Sequence, residues 1–127
     1  MIAIIDYDAG NMKSVEKAFQ YLNEDAVITR DRKAILEADR VVLPGVGAFG
    51  DAMERLHSYD LVETIQDAVK SGKPFLGICL GMQVIFSKGY EFGETDGLGL
   101  IEGSVIKMDE PDLIIPHMGW NSLHIVK

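Results

Sequence analysis

Five residues in the middle of the chain, Gly77-Ile78-Cys79-Leu80-Gly81, constrain its fold more than any other stretch. The apolar segment Lys73–Leu76 before them predicts a buried strand, and Gln83–Phe86 after them predicts the first turns of a helix. A Gly-x-nucleophile-x-Gly pattern between strand and helix is typical of a nucleophile elbow, here with cysteine in place of serine. The flanking glycines let neighbouring atoms pass close to a strained turn. The pattern predicts that Cys79 is a nucleophile at a helix N-terminus, whose partial positive charge favours the thiolate.

Composition narrows the class of protein. Cys79 is the only cysteine among 127 residues, which excludes an internal disulfide or a multi-thiolate metal site. The net charge of -8, without any Lys/Arg cluster, argues against a nucleic-acid partner. No apolar run approaches the length of a membrane span, and Met1–Ile5 reaches Asp6 without the basic stretch of a signal peptide. We therefore expect one cytoplasmic domain over residues 1–127, with no nucleic-acid and no membrane partner.

Apolar runs alternate with helical periodicity through Ser87. The predicted strands in this part are Met1–Ile5, Ala26–Thr29, Arg40–Leu43 and Lys73–Leu76. The predicted helices follow Ser14, which could cap or open the first of them, and cover Arg32–Ala38, Gly50–His57 and Leu61–Val69. Beyond a glycine-rich acidic connection over Gly89–Gly97, short strands are predicted at Ser104–Met108, Leu113–Ile115 and Ser122–Val126. This order predicts a three-layer α/β/α fold, with a mainly parallel sheet and added antiparallel strands after residue 100.

Three loops are expected at one edge of this sheet. They follow Asp6, Leu43 and Ile78, each at the carboxyl end of a predicted strand. Active sites of open parallel sheets lie at this edge. We therefore expect the loop Pro44–Gly47, with two glycines, to lie beside Cys79.

Four segments carry a resemblance to a known family. They are Asp6-Tyr7-x-x-Gly10-Asn11, Leu43–Gly50, Gly77–Gln83 and Pro116–Asn121. With them the chain resembles the class I (triad-type) glutamine amidotransferases, and most of all the glutaminase subunits of imidazole glycerol phosphate synthases. The elbow alone indicates only the broad class, whereas the second and fourth segments narrow the resemblance to these subunits.

The resemblance implies a reaction in histidine biosynthesis. Glutamine would be hydrolysed to glutamate, and the ammonia would pass to a separate barrel-type synthase (cyclase) subunit. That subunit would make imidazole glycerol phosphate and an aminoimidazole carboxamide nucleotide. The resemblance implies no metal and no other cofactor.

The resemblance also assigns residues to roles. Cys79 would attack the glutamine amide and form a glutamyl thioester. The oxyanion would be bound by the N–H of Leu80 and by an N–H of the Pro44–Gly47 loop, from Val46 or Gly47. The residues that would bind the substrate are Gly45, Gln83 and Glu91. The residues that would face the synthase subunit are Asn11, Pro116, His117, Met118, Trp120 and Asn121, with Trp120 suited to an interface hot spot.

The base of the triad has no counterpart in the sequence. In the family a His and a Glu stand two residues apart in a His-Pro-Glu segment near the C-terminus. None of His57, His117 and His124 is followed by Pro-Glu, so none is assigned to the triad. We therefore expect these 127 residues to be the N-terminal part of the subunit, with little turnover of glutamine by themselves.

Three other functions are compatible with parts of the pattern. The chain could be a non-catalytic binding partner of the synthase subunit. It could be a receiver-type signalling domain, but its third strand ends in Leu43-Pro44 without an Asp to phosphorylate. It could be a flavodoxin-like cofactor binder, but no phosphate-cradling loop follows its first strand.

Overall fold

A computed structural model describes all 127 residues and contains seven strands and five helices. The elements in chain order are β1 (Ile2–Ile5), α1 (Met12–Tyr21), β2 (Ala26–Thr29), α2 (Arg32–Glu37), β3 (Arg40–Leu43), α3 (Phe49–Ser58), α4 (Leu61–Lys70), β4 (Phe75–Gly77), α5 (Leu80–Gln83), β5 (Phe86–Gly89), β6 (Thr95–Asp96) and β7 (Ile101–Val105). None of the helices combines the length and the apolar character needed to cross a bilayer.

The first four strands form one parallel sheet in the order β2-β1-β3-β4. Ile4 of β1 pairs with Ile28 on one side and with Val42 on the other. Val42 in turn pairs with Leu76 of β4. The strand β1 is apolar throughout because it is central and is covered on both faces.

The sheet lies between two layers of helix. Since successive residues of a strand point to opposite faces, Ile2 and Ile4 pack beneath Phe19 of α1, whereas Ala3 and Ile5 join the main core. The other four helices contribute to that main core on the opposite face. The predicted three-layer arrangement with a mainly parallel sheet is confirmed.

A small second sheet corrects two predictions. Its order is β6-β5-β7, and β5 runs antiparallel to β6 but parallel to β7. The antiparallel pairing therefore lies before residue 100, inside the predicted connection, and not after it. The helix predicted over Gln83–Phe86 is also wrong, because α5 ends at Gln83 and β5 begins at Phe86. The stretch Val84–Phe86 is β-branched and aromatic, and β7 provides backbone partners that favour a strand.

The region after β7 has no regular structure. Of the strands predicted after residue 100, Ser104–Met108 overlaps β7, but Leu113–Ile115 and Ser122–Val126 are not strands. Every residue from 106 to 127 is exposed. An apolar run forms a strand only where a neighbour accepts its backbone hydrogen bonds, and no strand lies beside these segments.

Asn11, and not Ser14, caps the first helix. Its side-chain oxygen accepts a hydrogen bond from the Ser14 N–H at 3.3 Å, and α1 begins at Met12. Asparagine is among the strongest N-cap residues because its short amide satisfies a free N–H of the first turn.

Tyr7 is the largest fully buried side chain. Its hydroxyl donates a hydrogen bond to the Pro44 carbonyl oxygen at 2.7 Å. Burial is the main cause that raises the pKa of Tyr7 to about 12, while Arg55 opposes the rise and the negative charge of Cys79 adds to it. The phenol therefore ties the loop after β1 to the residue directly after β3.

Gly81 is the point where α5 meets the end of β3. A Cβ atom at this position would lie 1.8 Å from the Leu43 carbonyl oxygen and 2.7 Å from its carbonyl carbon. Both atoms belong to the backbone of a central strand, so neither can move aside. The close packing of α5 on the sheet requires glycine here.

We expect Gly81→Ala to lower the free energy of unfolding by about 3 kcal/mol or more, because the added methyl group overpacks the backbone of β3. Urea unfolding followed by circular dichroism measures the change. Gly50→Ala in α3 is the matched control. Its Cβ would meet only Thr95 Oγ1 at 3.5 Å, and alanine favours a helix by up to about 1 kcal/mol. Equal urea midpoints for the two variants would contradict the close approach of Gly81 to the Leu43 backbone.

The raised pKa of Tyr7 predicts a loss of stability at alkaline pH. The unfolded chain releases the phenol proton near pH 10, whereas the folded chain keeps it until about 12, so the free energy of unfolding falls across this window. The fall is about 3 kcal/mol at most, since each pKa unit corresponds to about 1.4 kcal/mol. Urea unfolding at several pH values should show this fall in the unmodified chain and in Tyr21→Phe, which removes an exposed tyrosine. Tyr7→Phe should show a smaller fall, and an identical pH dependence would contradict the prediction.

Candidate active site

Cys79 lies on a sharp turn between β4 and α5. Its side chain is exposed, and its backbone angles of φ 55° and ψ -117° are a strained combination for a non-glycine residue. A Cβ at Gly77 would lie 2.7 Å from both the Gly81 oxygen and the Met82 Cα, so the turn closes tightly on itself. The strained turn predicted from the glycine spacing is thus present. The helix after it has only four residues, so its dipole is weaker than the longer predicted helix would provide.

The loop Pro44–Gly47, here called the second loop, lies against this turn. A Cβ at Gly45 would lie 2.9 Å from the Gly81 nitrogen and 3.0 Å from the Leu80 Cβ. The Ile78 N–H also donates to the Leu43 oxygen at 3.0 Å. The predicted neighbourhood of the loop and the nucleophile is therefore observed.

The second loop becomes exposed beyond Gly45. Gly45 is buried, whereas the Val46 side chain is 59% exposed. Gly47 has a φ of 104°, and no atom lies within 4 Å of the place that its Cβ would occupy. This end of the loop has room to turn an N–H towards a ligand.

The N–H of Leu80 is free within the turn. Leu80 is the first residue of α5, where an N–H has no intrahelical acceptor. The next two N–H groups are used, since Gly81 donates to the Ile78 oxygen and Met82 to the Cys79 oxygen, both at 3.0 Å. Leu80 thus offers an unused backbone donor directly after Cys79, as its predicted oxyanion role requires.

The loop Asp6–Asn11, here called the first loop, packs on the second through glycine. A Cβ at Gly10 would lie 3.3 Å from both the Cα and the nitrogen of Gly45. Gly10 and Gly45 of the two loops and Gly81 of α5 thus follow one another along the edge of the sheet. In both contacts, Gly10 with Gly45 and Gly45 with Gly81, backbone atoms pack against backbone atoms.

Polar side chains from later parts of the chain form hydrogen bonds and ion pairs with the first loop. Asp8, at a φ of 59°, accepts hydrogen bonds from Tyr59 and from Arg30, the latter at 2.9 Å. These two bonds, in that order, hold the pKa of Asp8 below its usual value. Arg30 also bonds Asp6 at 2.7 Å and lies 4.1 Å above the Tyr59 ring, while the Asp8 carbonyl oxygen accepts from Arg55. The sequence did not predict this network. The bonded partners lie 22 to 51 positions apart in the chain, and no local sequence pattern connects residues at such separations.

A small cavity separates the two loops from α3. Its volume is about 200 Å³, and its lining includes Asp8, Gly10, Val46, Gly47 and Arg55. The exposed end of the second loop therefore borders open space on this side.

Gln83 and Glu91, the other two residues predicted to bind the substrate, lie in different parts of the structure. Gln83 ends α5 and is half-buried. The Glu91 carboxylate accepts a hydrogen bond from the Phe49 N–H at 3.1 Å, at the first residue of α3. Glu91 therefore caps the helix that follows the second loop, a role that the sequence did not indicate. The substrate-binding roles of Gln83, Glu91 and Gly45 stay predictions.

The segment Pro116–Asn121 is exposed throughout, and Trp120 is fully so. Its one side-chain hydrogen bond joins Asn121 Nδ2 and His117 Nε2 at 2.9 Å. No hydrogen bond joins Cys79 to His57, His117 or His124. The structure thus brings the turn with the predicted nucleophile Cys79 next to the predicted oxyanion loop, and no histidine is hydrogen-bonded to Cys79.

Two solved structures share the fold. A protein from Listeria monocytogenes EGD-e described as a peptidase E superposes with a TM-score of 0.65, at 14% identity over 79% of this chain and 62% of the other. A glutamine amidotransferase superposes with a TM-score of 0.67, at 17% identity over 84% of this chain and 56% of the other. At such identities the likeness concerns the fold alone.

Sequence relatives are much more similar. Subunits named imidazole glycerol phosphate synthase subunit HisH are 52% identical in Lactococcus lactis, 51% in Sulfurimonas denitrificans and 50% in Geobacter metallireducens. The matches cover 99%, 97% and 98% of this chain. The chain spans 62%, 61% and 62% of the lengths of these relatives.

A family model described as class-I glutamine amidotransferase matches residues 3–125, which include both loops, the turn at Cys79 and the exposed segment around Trp120. The chain belongs to the class-I glutamine amidotransferase family.

Proposed function

We propose that this chain forms the nucleophile-bearing part of the glutaminase subunit of an imidazole glycerol phosphate synthase. In this role it hydrolyses glutamine to glutamate and supplies ammonia to a barrel-type synthase subunit in histidine biosynthesis. That partner makes imidazole glycerol phosphate and an aminoimidazole carboxamide nucleotide. The observation that carries the proposal is the exposed, strained Cys79 in a turn packed against the second loop. The relatives named HisH support the choice of this subunit within the family.

The first chemical step uses groups that the chain possesses. The Cys79 sulfur attacks the side-chain amide carbon of glutamine, and the carbonyl π electrons move to the oxygen. The Leu80 N–H and an N–H from Val46 or Gly47 stabilise the resulting oxyanion. The intermediate then collapses to a glutamyl thioester, the carbon–nitrogen bond breaks, and ammonia leaves with an added proton.

The remaining steps need an acid and a base. The leaving ammonia requires a proton, and the water that hydrolyses the thioester must be deprotonated. General acid–base help of this kind contributes about 10²–10⁴-fold. No histidine is hydrogen-bonded to Cys79, and the family's His-Pro-Glu motif is not found within these 127 residues.

The exposed segment Pro116–Asn121 is the proposed contact with the synthase subunit, together with Asn11. A fully exposed Trp beside Met118 is the kind of aromatic anchor that dominates interface energies. Its one side-chain hydrogen bond joins Asn121 to His117 and does not involve Cys79, which favours binding over catalysis as its role.

A second candidate is a non-catalytic binding partner of the synthase subunit, a role that the fully exposed Trp120 would also suit. Such a protein would retain the exposed segment but would not use Cys79. Reactivity of Cys79 towards a glutamine-like reagent distinguishes the two candidates.

We expect a glutamine-like chloromethyl ketone to label Cys79 with saturation kinetics, because the second loop and Leu80 hold its carbonyl oxygen. Free glutamine should slow the labelling by competition. Intact-mass spectrometry measures the adduct, and Cys79→Ala, which removes the only thiol, is the control. Labelling that rises linearly with reagent concentration and ignores glutamine would contradict the glutaminase proposal.

Ammonia release gives a separate prediction. With the synthase subunit of a relative present, the 127 residues should release little ammonia from glutamine. A segment carrying the His-Pro-Glu motif, added as a separate chain, should increase release by about 10²–10⁴-fold. A coupled glutamate dehydrogenase assay measures the ammonia. Efficient release without that segment would mean that one of the three histidines acts as the base.

Trp120→Ala should weaken binding to a barrel-type synthase subunit by about 2 kcal/mol or more, as expected for an aromatic hot spot. Isothermal titration calorimetry measures the dissociation constant. Tyr21→Ala, which truncates an equally exposed aromatic side chain on α1, should leave it unchanged. Equal affinities for the two variants would remove the segment around Trp120 from the interface.

A further inference from the structure

Tyr7 is a buried phenol that the proposed chemistry does not use. Its ring lies in the main core, and its side chain is fully buried. The one hydrogen bond of its hydroxyl goes to the Pro44 carbonyl oxygen, 37 residues away. Phenylalanine would fill nearly the same volume, so the main contribution of the hydroxyl is its hydrogen bond to the Pro44 carbonyl.

The hydrogen bond fixes the orientation of one peptide group. Because a trans peptide is planar, the Gly45 N–H points away from Tyr7 when the Pro44 oxygen points towards it. The proline ring already fixes φ at Pro44, and the bond to its carbonyl now restrains ψ. Conformational freedom in the second loop therefore begins only at Gly45, directly before the two candidate oxyanion donors.

The hydroxyl also contacts the loop sterically. A Cβ at Gly45 would lie 2.3 Å from the Tyr7 oxygen, and the same atom would lie 2.9 Å from the Gly81 nitrogen and 3.0 Å from the Leu80 Cβ. Gly45 thus packs closely against both the phenol and the turn that carries Cys79. Because burial raises the pKa of Tyr7 to about 12, the phenol remains a protonated donor at neutral and moderately alkaline pH.

We propose that Tyr7 is a positioning residue that, through the Pro44 carbonyl, holds the second loop where one of its N–H groups meets the oxyanion of a Cys79 adduct. This inference rests on the proposed glutaminase function. Tyr7 touches neither substrate nor sulfur in this role. Its effect appears only in reactions whose carbonyl oxygen is bound by the loop.

Two reagents separate this role from a general structural one. In the reaction with a glutamine-like chloromethyl ketone, the sulfur–carbon bond forms, the carbon–chlorine bond breaks and chloride leaves, while the carbonyl oxygen draws on the oxyanion donors. Iodoacetamide alkylates the same sulfur by displacing iodide and needs no such donor. The ratio of the two rates therefore reports the position of the loop and not the reactivity of the thiol.

We expect Tyr7→Phe to lower the saturating rate of inactivation by the chloromethyl ketone about tenfold or more, since loss of a direct oxyanion donor costs about 10²–10³-fold. The iodoacetamide rate should stay within about twofold of the original, as reactivity of the exposed thiol does not depend on the loop. Tyr59→Phe is the matched control, because it removes a tyrosine hydroxyl that bonds Asp8 at the same edge. Both of its rates should be unchanged.

Gly45→Ala provides a second variant that keeps the phenol. Its methyl group would lie 2.3 Å from the Tyr7 oxygen and 2.9 Å from the Gly81 nitrogen, so it should displace the second loop and lower the chloromethyl ketone rate. The proposal is overturned if Tyr7→Phe leaves both rates unchanged, if it lowers both equally, or if Gly45→Ala retains the full chloromethyl ketone rate. Saturable, glutamine-sensitive labelling of the unmodified chain that Tyr7→Phe does not alter would overturn the role of Tyr7 alone. Non-saturable labelling of the unmodified chain would overturn the glutaminase function and this inference together.

Discussion

The approach of the Gly81 backbone to the end of β3 is the contact on which the candidate site depends. The Leu43 carbonyl lies where a Cβ of Gly81 would be, and Gly45 and Gly10 continue the same line of backbone contacts. A Cβ at Gly81 would lie 1.8 Å from the Leu43 oxygen, so a side chain there would force the two backbones apart, whereas a Cβ at Gly10 would need a smaller shift. Displacing a catalytic group by about 1 Å can cost about 10²-fold in rate. Three strands thus bring three loops together, and glycine allows them to touch.

Two kinds of polar interaction stabilise this arrangement, and they differ in strength. The ion pairs of Arg30 with Asp6 and Asp8 are solvent-exposed, and such pairs typically contribute about 0–1 kcal/mol. The bond from Tyr7 to the Pro44 oxygen is buried, where an unpaired carbonyl would cost about 1–3 kcal/mol. We therefore expect the buried phenol to restrain the second loop more firmly than the charged network restrains the first. The open cavity beside Val46 and Gly47 leaves the far end of the second loop free to move.

The strained backbone of Cys79 shows how the fold supports an unfavourable local state. A non-glycine residue in such a conformation costs roughly 1–3 kcal/mol, which the surrounding packing must offset. Here the offset comes from the hydrogen bond between Ile78 and Leu43 and from the buried side chain of Leu80.

At the other end of the chain, apolar side chains from Ile106 to Val126 remain exposed. Exposed apolar surface of this extent is typical of segments that bind another surface.

The alternating elements, the parallel sheet and the strained turn at Cys79 could be predicted from the sequence, because periodicity and glycine spacing are local signals. The sequence also predicted that the loop Pro44–Gly47 lies beside the Cys79 turn, since the carboxyl ends of parallel strands share one edge. Only the tertiary structure decided that Tyr7 bonds Pro44, that Glu91 caps α3 and that β5 pairs with β7 instead of continuing a helix. Each of these depends on a partner 12 or more residues away, whose identity no local pattern encodes. The exposed end of the chain follows the same principle, because an apolar run becomes a strand only when a neighbouring strand accepts its hydrogen bonds.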